Sequence, residues 1–81
     1  LKQLIESHHL ALERLLVFLD SPRKATECFS PLFKRIIREE EYGLALGEAV
    51  AHLNHLYLAG QVDRSLSNNG VYLYSQIKTQ L

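Results

Sequence analysis

The sequence predicts a mainly α-helical fold with a small β-hairpin, in the layout of a winged helix-turn-helix with three helices and a two- or three-stranded wing. Two observations support this class. Apolar residues recur at helical spacing from Leu44 to Tyr57, and Gly60 stands where that helix should stop. Two short runs of strand-forming residues then flank a turn that ends in Asn69-Gly70, which is typical of a hairpin.

The first helix is predicted from Leu1 to about Asp20, because Pro22 cannot continue a helix and restrains the residue before it. One face of this helix is apolar, with spacings of three and four residues. That face consists of Leu1, Leu4, Ile5, His8, Leu12, Leu15, Leu16 and Leu19. The helix is long for so small a chain, so we expect its first two turns to project and contact another surface.

The second helix is predicted to be short. Arg23 to Ala25 is expected to be an extended link that could add one edge strand, and Thr26 is expected to cap a helix ending near Lys34. The apolar residues of this helix are Cys28, Phe29, Leu32 and Phe33. Pro31 lies inside the segment, so the helix is expected to be short or kinked.

The third helix is predicted from Tyr42 to Ala59, after a charged turn at Lys34 to Glu41. Its apolar stripe consists of Leu46, Ala49, Val50, Leu53, Leu56 and Tyr57. Gly43 and Gly47 are poor helix formers, and we interpret them as points of close approach to a neighbouring helix. Gly60 suits the left-handed conformation that closes a helix.

The hairpin is predicted to pair residues 62–66 with residues 71–75. Asn69 and Gly70 both accept positive φ, so a tight turn is expected between the two strands.

Composition limits the classes of function. At 81 residues the chain is predicted to be one domain, residues 1–81, and its formal net charge of zero attracts neither nucleic acid nor an anionic membrane. The one cysteine, Cys28, excludes an internal disulfide and is expected to be buried and inert, which suits a cytoplasmic location. The chain has no methionine and begins inside a helical pattern, so we expect it to be the C-terminal fragment of a longer protein.

The layout suggests DNA binding, but the charges argue against it. The segment from Glu39 to Gln61 contains four glutamates and neither Lys nor Arg, so a helix there is unsuited to reading a polyanion. The candidate nucleic-acid contacts are Lys34, Arg35, Arg38 and Arg64. We interpret the first three of these as a solvated rim, and the DNA-binding domain of a transcriptional regulator remains the alternative function.

Histidines offer the main candidate chemistry. Glu48, His52 and His55 lie within two turns of the third helix and could hold a divalent metal. They would supply three ligands from one helix, so a polar interface is the simpler interpretation and neither a metal nor a cofactor is expected in this chain. His8 and His9 are adjacent and diverge by about 100° on a helix, so they cannot chelate together.

Several stretches resemble the C-terminal domain of metallo-β-lactamase-fold hydrolases. The strongest similarity lies in Leu44-Ala45-Leu46-Gly47-Glu48-Ala49-Val50-Ala51-His52-Leu53, followed by Leu56, Gly60, Gln61, Val62 and Val71-Tyr72. Weaker similarity lies in Ser7-His8-His9, Glu13-Arg14-Leu15, Ser21-Pro22-Arg23-Lys24-Ala25-Thr26-Glu27 and Leu32-Phe33. Together these stretches cover nearly the whole chain.

The resemblance implies a winged-helix appendage that follows an αββα metallo-hydrolase domain. In such proteins the zinc ligands belong to the preceding domain, in a His-x-His-x-Asp-His motif that this sequence lacks. It therefore implies that this chain is non-catalytic by itself, and that zinc and hydrolysis belong to the absent domain. It also implies a packing role near the active-site mouth, where the domain would bias substrate access or stability. The parent's substrate could be a thioester, a nucleic acid or a lactam.

The expected partner is the preceding hydrolase domain of the same chain, and a membrane partner is not expected. The candidate interdomain contacts are Leu1, Leu4, Ile5, His8, His9, Glu48, His52 and His55. A homodimer formed through the first helix is a further hypothesis.

Overall fold

Three helices are followed by an antiparallel hairpin in the computed structural model, which describes residues 8–33 and 35–77. The elements are α1 (His8–Phe18), a 3-10 turn (Ala25–Cys28), α2 (Phe29–Leu32), a second 3-10 turn (Glu39–Glu41), α3 (Tyr42–Leu58), β1 (Val62–Leu66) and β2 (Tyr72–Gln76). This layout confirms the predicted class, a mainly helical fold with a β wing. Within the described part of the chain, no helix is long and apolar enough to cross a membrane.

Helix α1 ends at Phe18, and the N–H of Leu19 closes its last turn on the carbonyl oxygen of Leu15 at 3.1 Å. The buried side of the helix consists of Ala11, Leu15 and Leu19, with Leu12 and Leu16 half-buried beside it. This confirms the predicted apolar stripe for the described residues and adds Ala11 to it. The predicted first turns, residues 1–7, lie outside the described residues.

The link after α1 forms the predicted edge contact. The N–H of Arg23 donates to the carbonyl oxygen of Tyr74 at 2.9 Å, and the N–H of Tyr74 donates back at 2.8 Å. The N–H of Gln76 donates to the carbonyl oxygen of Leu19 at 2.7 Å. The linker is therefore hydrogen-bonded to the outer edge of β2.

The start of the second helical segment was predicted wrongly. Thr26 is not its N-cap, because the 3-10 turn already begins at Ala25 and Lys24 holds the cap position. The carboxylate of Glu27 accepts the Lys24 N–H at 2.8 Å, which satisfies a donor that the helix leaves open. Glutamate at the third helical position therefore defines this start.

Helix α2 also ends earlier than predicted, at Leu32 and not near Lys34. Phe33 takes the extended conformation, with φ −117° and ψ 143°, and its N–H donates to the carbonyl oxygen of Phe29 at 2.9 Å. Pro31 supplies no N–H, so this segment cannot continue the helical ladder of the turn before it. The helix is short, as predicted.

Helix α3 is one residue shorter than predicted, and its buried side consists of Ala45, Ala49, His52, Leu53 and Leu56. The interpretation of Gly43 and Gly47 was wrong. Both are exposed, and among the described residues no atom from outside their own helical turns lies within 4 Å of a Cβ built on either of them. The small residues that meet the core are Ala45 and Ala49, both 0% exposed.

Gly60 ends α3 with a φ of 77°, as predicted. The hairpin register pairs Val62 with Gln76 and Leu66 with Tyr72, so β2 lies one residue later than predicted. The expected positive φ at Asn69 was wrong, since only glycines adopt it among the described residues.

Gly70 has a φ of 82°, and its N–H donates to the carbonyl oxygen of Ser67 at 3.0 Å. The N–H of Ser67 donates to the carbonyl oxygen of Val71 at 2.8 Å, so the loop contains three residues and a glycine bulge.

Replacing a helical glycine and replacing a glycine with positive φ by alanine are predicted to change stability in opposite directions. Gly47→Ala is expected to raise the free energy of unfolding by about 0.5–1 kcal/mol, because the position is helical and open. Gly60→Ala is expected to lower it by about 1–2 kcal/mol, because a Cβ is strained at positive φ. Urea unfolding followed by circular dichroism measures both, and changes of the same sign would contradict this assignment.

Candidate functional site

The side of α3 that points away from the core is uncharged. It consists of Leu44, Gly47, Ala51, His55 and Leu58, which are all exposed, and we call it the outer face of α3. These residues recur at spacings of three and four, so they align along one side of the helix. Leu58 is 83% exposed and Leu44 is 38% exposed. In a DNA-binding winged helix, the corresponding surface would enter the major groove.

The prediction that this helix is acidic was wrong, because most of the glutamates lie before it. Glu39–Glu41 form a separate 3-10 turn before α3, and Glu48, which is half-buried, is the one Asp, Glu, Lys or Arg in the helix itself. The outer face is therefore uncharged, whereas the sequence had suggested that it was acidic, and it offers no Lys or Arg to a DNA phosphate.

The carboxylate of Glu41 accepts hydrogen bonds from two arginines in the loop before α3. Its two carboxylate oxygens accept hydrogen bonds from the guanidinium of Arg35 at 2.7 and 2.6 Å. The backbone N–H of Arg38 donates to the same carboxylate at 3.1 Å. These bonds, led by those from Arg35, lower the pKa of Glu41 to about 2.

This arrangement predicts an acid-sensitive contribution to stability. Because the folded-state pKa of Glu41 is about 2 and its ordinary value is 4.5, its stabilising effect is complete above pH 4.5 and disappears as the pH falls to 2. The difference in urea midpoint between the parent and Glu41→Gln should therefore shrink over that interval. A difference independent of pH would contradict the role given to the carboxylate, and Glu39→Gln is the matched control because Glu39 is exposed in the same turn.

The candidate nucleic-acid contacts are engaged within the fold. Arg35 pairs with Glu41, and Arg38 lies 3.5 Å from the carboxylates of both Glu40 and Glu41. The guanidinium carbon of Arg64 lies over two tyrosine rings, and Lys34 lies outside the described residues. Two of these arginines therefore already have carboxylate partners.

The histidines of α3 point to different sides of the helix. His52 is 6% exposed, and its Nδ1 donates to the carbonyl oxygen of Glu48 at 2.7 Å, whereas His55 is exposed. Three residues along a helix leave two side chains about 60° apart, which suffices to separate core from surface here. Within residues 8–33 and 35–77, no three His, Cys, Asp or Glu side chains are placed to hold a metal. Of the predicted contacts on α3, only His55 lies on its outer face.

The predicted contacts on α1 are described only in part. Leu1, Leu4 and Ile5 lie outside the described residues, as does the side chain of His8. His9 is exposed, and its Nε2 lies 3.3 Å from a carboxylate oxygen of Glu13.

Cys28 is buried, as predicted. Its Sγ donates to the carbonyl oxygen of Lys24 at 3.3 Å, and burial raises the pKa of the thiol to about 11. A thiol with this pKa is in its neutral form near neutral pH, whereas the thiolate is the reactive form of cysteine.

A feature that the sequence did not reveal lies between the end of α3 and the hairpin. The guanidinium carbon of Arg64 lies 4.3 Å from the ring centroid of Tyr57 and 4.5 Å from that of Tyr72. We call these three residues the tyrosine–arginine cluster. Arg64 lies directly across from Tyr74 in the hairpin, which places Arg64 and Tyr72 on the same face of the two strands. In the sequence, only the alternation of residues along the two strands indicated part of this cluster, because Tyr57 belongs to α3.

Comparison with known proteins agrees with this architecture. The family model described as "Metallo-beta-lactamase-like, C-terminal domain" matches residues 12–77. A crystal structure of a beta-lactamase domain protein from Burkholderia ambifaria is similar over 86% of this chain, with 33% identity and a TM-score of 0.71. The match covers 21% of that protein's chain. No curated protein matches. Because the family model covers most of its length, this chain belongs to the family of metallo-β-lactamase-like C-terminal domains.

Proposed function

We propose that this chain is a non-catalytic accessory domain that packs through the outer face of α3 against a metallo-hydrolase domain of the same polypeptide. The observation that carries the proposal is the exposure of an uncharged, apolar helix face whose ends are Leu44 and Leu58. Removing apolar surface from water contributes about 25 cal/mol per Å². Exposed apolar surface on one side of a helix is typical of an interface.

The composition of this face supports a protein partner. Gly47 and Ala51 place little bulk between the two leucines, and in the part of the chain that the structure describes nothing beyond the neighbouring turns of α3 lies within 4 Å of a Cβ built on Gly47. A second helix or strand could therefore approach the backbone of α3 closely. The match covers 21% of the chain of the similar protein from Burkholderia ambifaria, so the rest of that chain is long enough to form a further domain.

Under this proposal the hydrolytic chemistry belongs to the partner domain. Zinc bound there would lower the pKa of a bound water and so supply the nucleophile. The residues of this chain would act by packing. The outer face of α3 would fix the position of the domain at the mouth of the active site, and thereby the access of substrate.

The test uses the two parts of the parent protein produced separately. Isothermal titration of this chain into the hydrolase part is expected to show a one-to-one complex. Ala51→Arg places a charge at the centre of the outer face and is expected to weaken the complex by about tenfold or more, since an unpaired charge must be desolvated. The matched control, Ser30→Arg, places the same charge on an exposed residue of α2 and should leave the affinity unchanged.

Two results would reject the proposal. One is the absence of a complex between the parts, and the other is an Ala51→Arg variant that binds as tightly as the parent. Stoichiometric, tight zinc uptake by the separate chain would reject its non-catalytic role.

A further inference from the structure

The charge of Arg64 is held in a defined position. Its guanidinium carbon lies over the rings of Tyr57 and Tyr72, at 4.3 and 4.5 Å from their centroids. Stacking of this kind stabilises the cation and limits its rotation. Contact with the two rings leaves the N–H groups of the guanidinium to bind an anion, and these groups form a planar fork that matches two carboxylate oxygens.

Arg64 differs from the other two arginines among the candidate nucleic-acid contacts. Arg35 and Arg38 both lie beside glutamates. Within residues 8–33 and 35–77, Arg64 contacts the two rings and has neither an ion pair nor a hydrogen bond from its side chain. Its side chain is only half-buried, and its nitrogen atoms are not among the buried polar atoms that lack a partner. The edge of the guanidinium is thus held ready and open to solvent.

The surroundings of Arg64 are apolar and carry little other charge. Leu66 lies opposite Tyr72 in the hairpin and is 62% exposed, and Leu58 follows Tyr57 and is 83% exposed. A site for a polyanion gathers several cations, because each phosphate contact adds one. A single fork surrounded by tyrosine and leucine instead suits one carboxylate at a protein interface, where tyrosine and arginine dominate binding energies.

We propose that the tyrosine–arginine cluster binds one Asp or Glu side chain of the hydrolase domain, edge-on and through two hydrogen bonds. This inference rests on the proposed function, because the carboxylate belongs to the domain that packs on the outer face of α3. Leu58 belongs to that face and adjoins Tyr57, so one partner surface can cover both. The apolar contacts then supply buried surface area, and the ion pair between Arg64 and the carboxylate fixes the orientation of one domain on the other.

The first experiment compares the arginine Nε–H signals of this chain with those of the full-length protein by nitrogen-15 NMR. Solvent exchange of the Arg64 Nε–H is expected to be slower by about tenfold or more in the full-length protein, because a bidentate carboxylate holds that proton. Arg23 is the internal control, since its guanidinium carbon also lies over a ring, that of Phe18, at 4.4 Å, and its Nε is already buried within this chain. Its exchange rate should not change. The methyl signal of Ala51 reports separately whether the outer face of α3 is covered.

The second experiment measures the affinity between the separate parts for three variants. Arg64→Lys keeps the charge and loses the fork, and it is expected to weaken the complex by about tenfold. Arg64→Gln should weaken it further, and Arg23→Lys should leave it unchanged. The circular dichroism melting curve of each variant chain establishes that it is folded before binding is measured.

The outcomes separate the inference from the proposed function. A shifted Ala51 methyl signal with an unchanged Arg64 exchange rate overturns the carboxylate site and leaves domain packing intact. Unchanged signals from both residues overturn both proposals. Inorganic phosphate added to the separate chain should not slow Arg64 exchange. If it slows exchange as strongly as the hydrolase domain does, the cluster is a site for free anions and the inference fails.

Discussion

Leu53→Ala is expected to lower the free energy of unfolding by about 2–5 kcal/mol, because it removes buried methyl groups and leaves a cavity. Leu53 is 0% exposed and belongs to the core cluster. A domain of this size has about 4–12 kcal/mol of stability in total. The variant should therefore be near the limit of folding, with a urea midpoint close to zero if the parent is at the low end of that range.

Leu58→Ala is the matched control, because it changes the same residue type in the same helix. Leu58 is 83% exposed, so its truncation should alter the free energy of unfolding by less than about 0.5 kcal/mol. Urea titration followed by circular dichroism at 222 nm measures both variants. Equal losses for the two would show that the core does not lie on the Leu53 side of α3.

Ala49→Leu should be the next most damaging change. Ala49 is 0% exposed in the core, where a larger side chain forces neighbours out of their preferred rotamers, at a cost of about 1–3 kcal/mol. Ala51→Leu, two residues further along, adds the same atoms to an exposed position and should change stability by less than about 0.5 kcal/mol. Thermal unfolding of the two variants and the parent measures the difference.

This comparison also tests which small residues bring α3 close to the core. If Ala49→Leu were neutral, the core would have room for three more carbon atoms at this position. The correction that places the close approach at Ala45 and Ala49, and not at Gly43 and Gly47, would then lose its support.

Helix α3 was predictable because its signals are local. Its apolar periodicity, the charged turn before it and the glycine that ends it, Gly60, can all be recognised in the sequence. The predicted bounds of the helix were correct to within one residue. The turns were less predictable. At Thr26 the sequence offered a capping hydroxyl, but the Glu27 carboxylate on the Lys24 N–H determined the start. At Asn69-Gly70 the dipeptide suggested a tight turn with positive φ at both residues, but a three-residue loop formed in which only Gly70 has positive φ.

The candidate site was harder to predict because it depends on rotation and on contacts between distant residues. The segment Glu39 to Gln61 contains four glutamates, whereas the exposed side of α3 between Leu44 and Leu58 contains none of them. The same reasoning grouped His52 with His55, although one is buried and the other is exposed. Arg64 acquires its two ring contacts only when the hairpin packs beside the last turn of α3.

The hydrogen bonds between the first linker and the last strand have a consequence for biosynthesis. Arg23 exchanges two backbone hydrogen bonds with Tyr74, and Gln76 donates to Leu19, so each bond joins residues about fifty positions apart along the chain. Contacts of such high sequence separation form late in folding. On a ribosome, α1 to α3 would emerge before the backbone partners of Leu19 and Arg23 in the linker exist. We therefore expect native structure to be completed only after β2 has left the exit tunnel, so that products truncated before Tyr72 remain recognisable to cellular proteases.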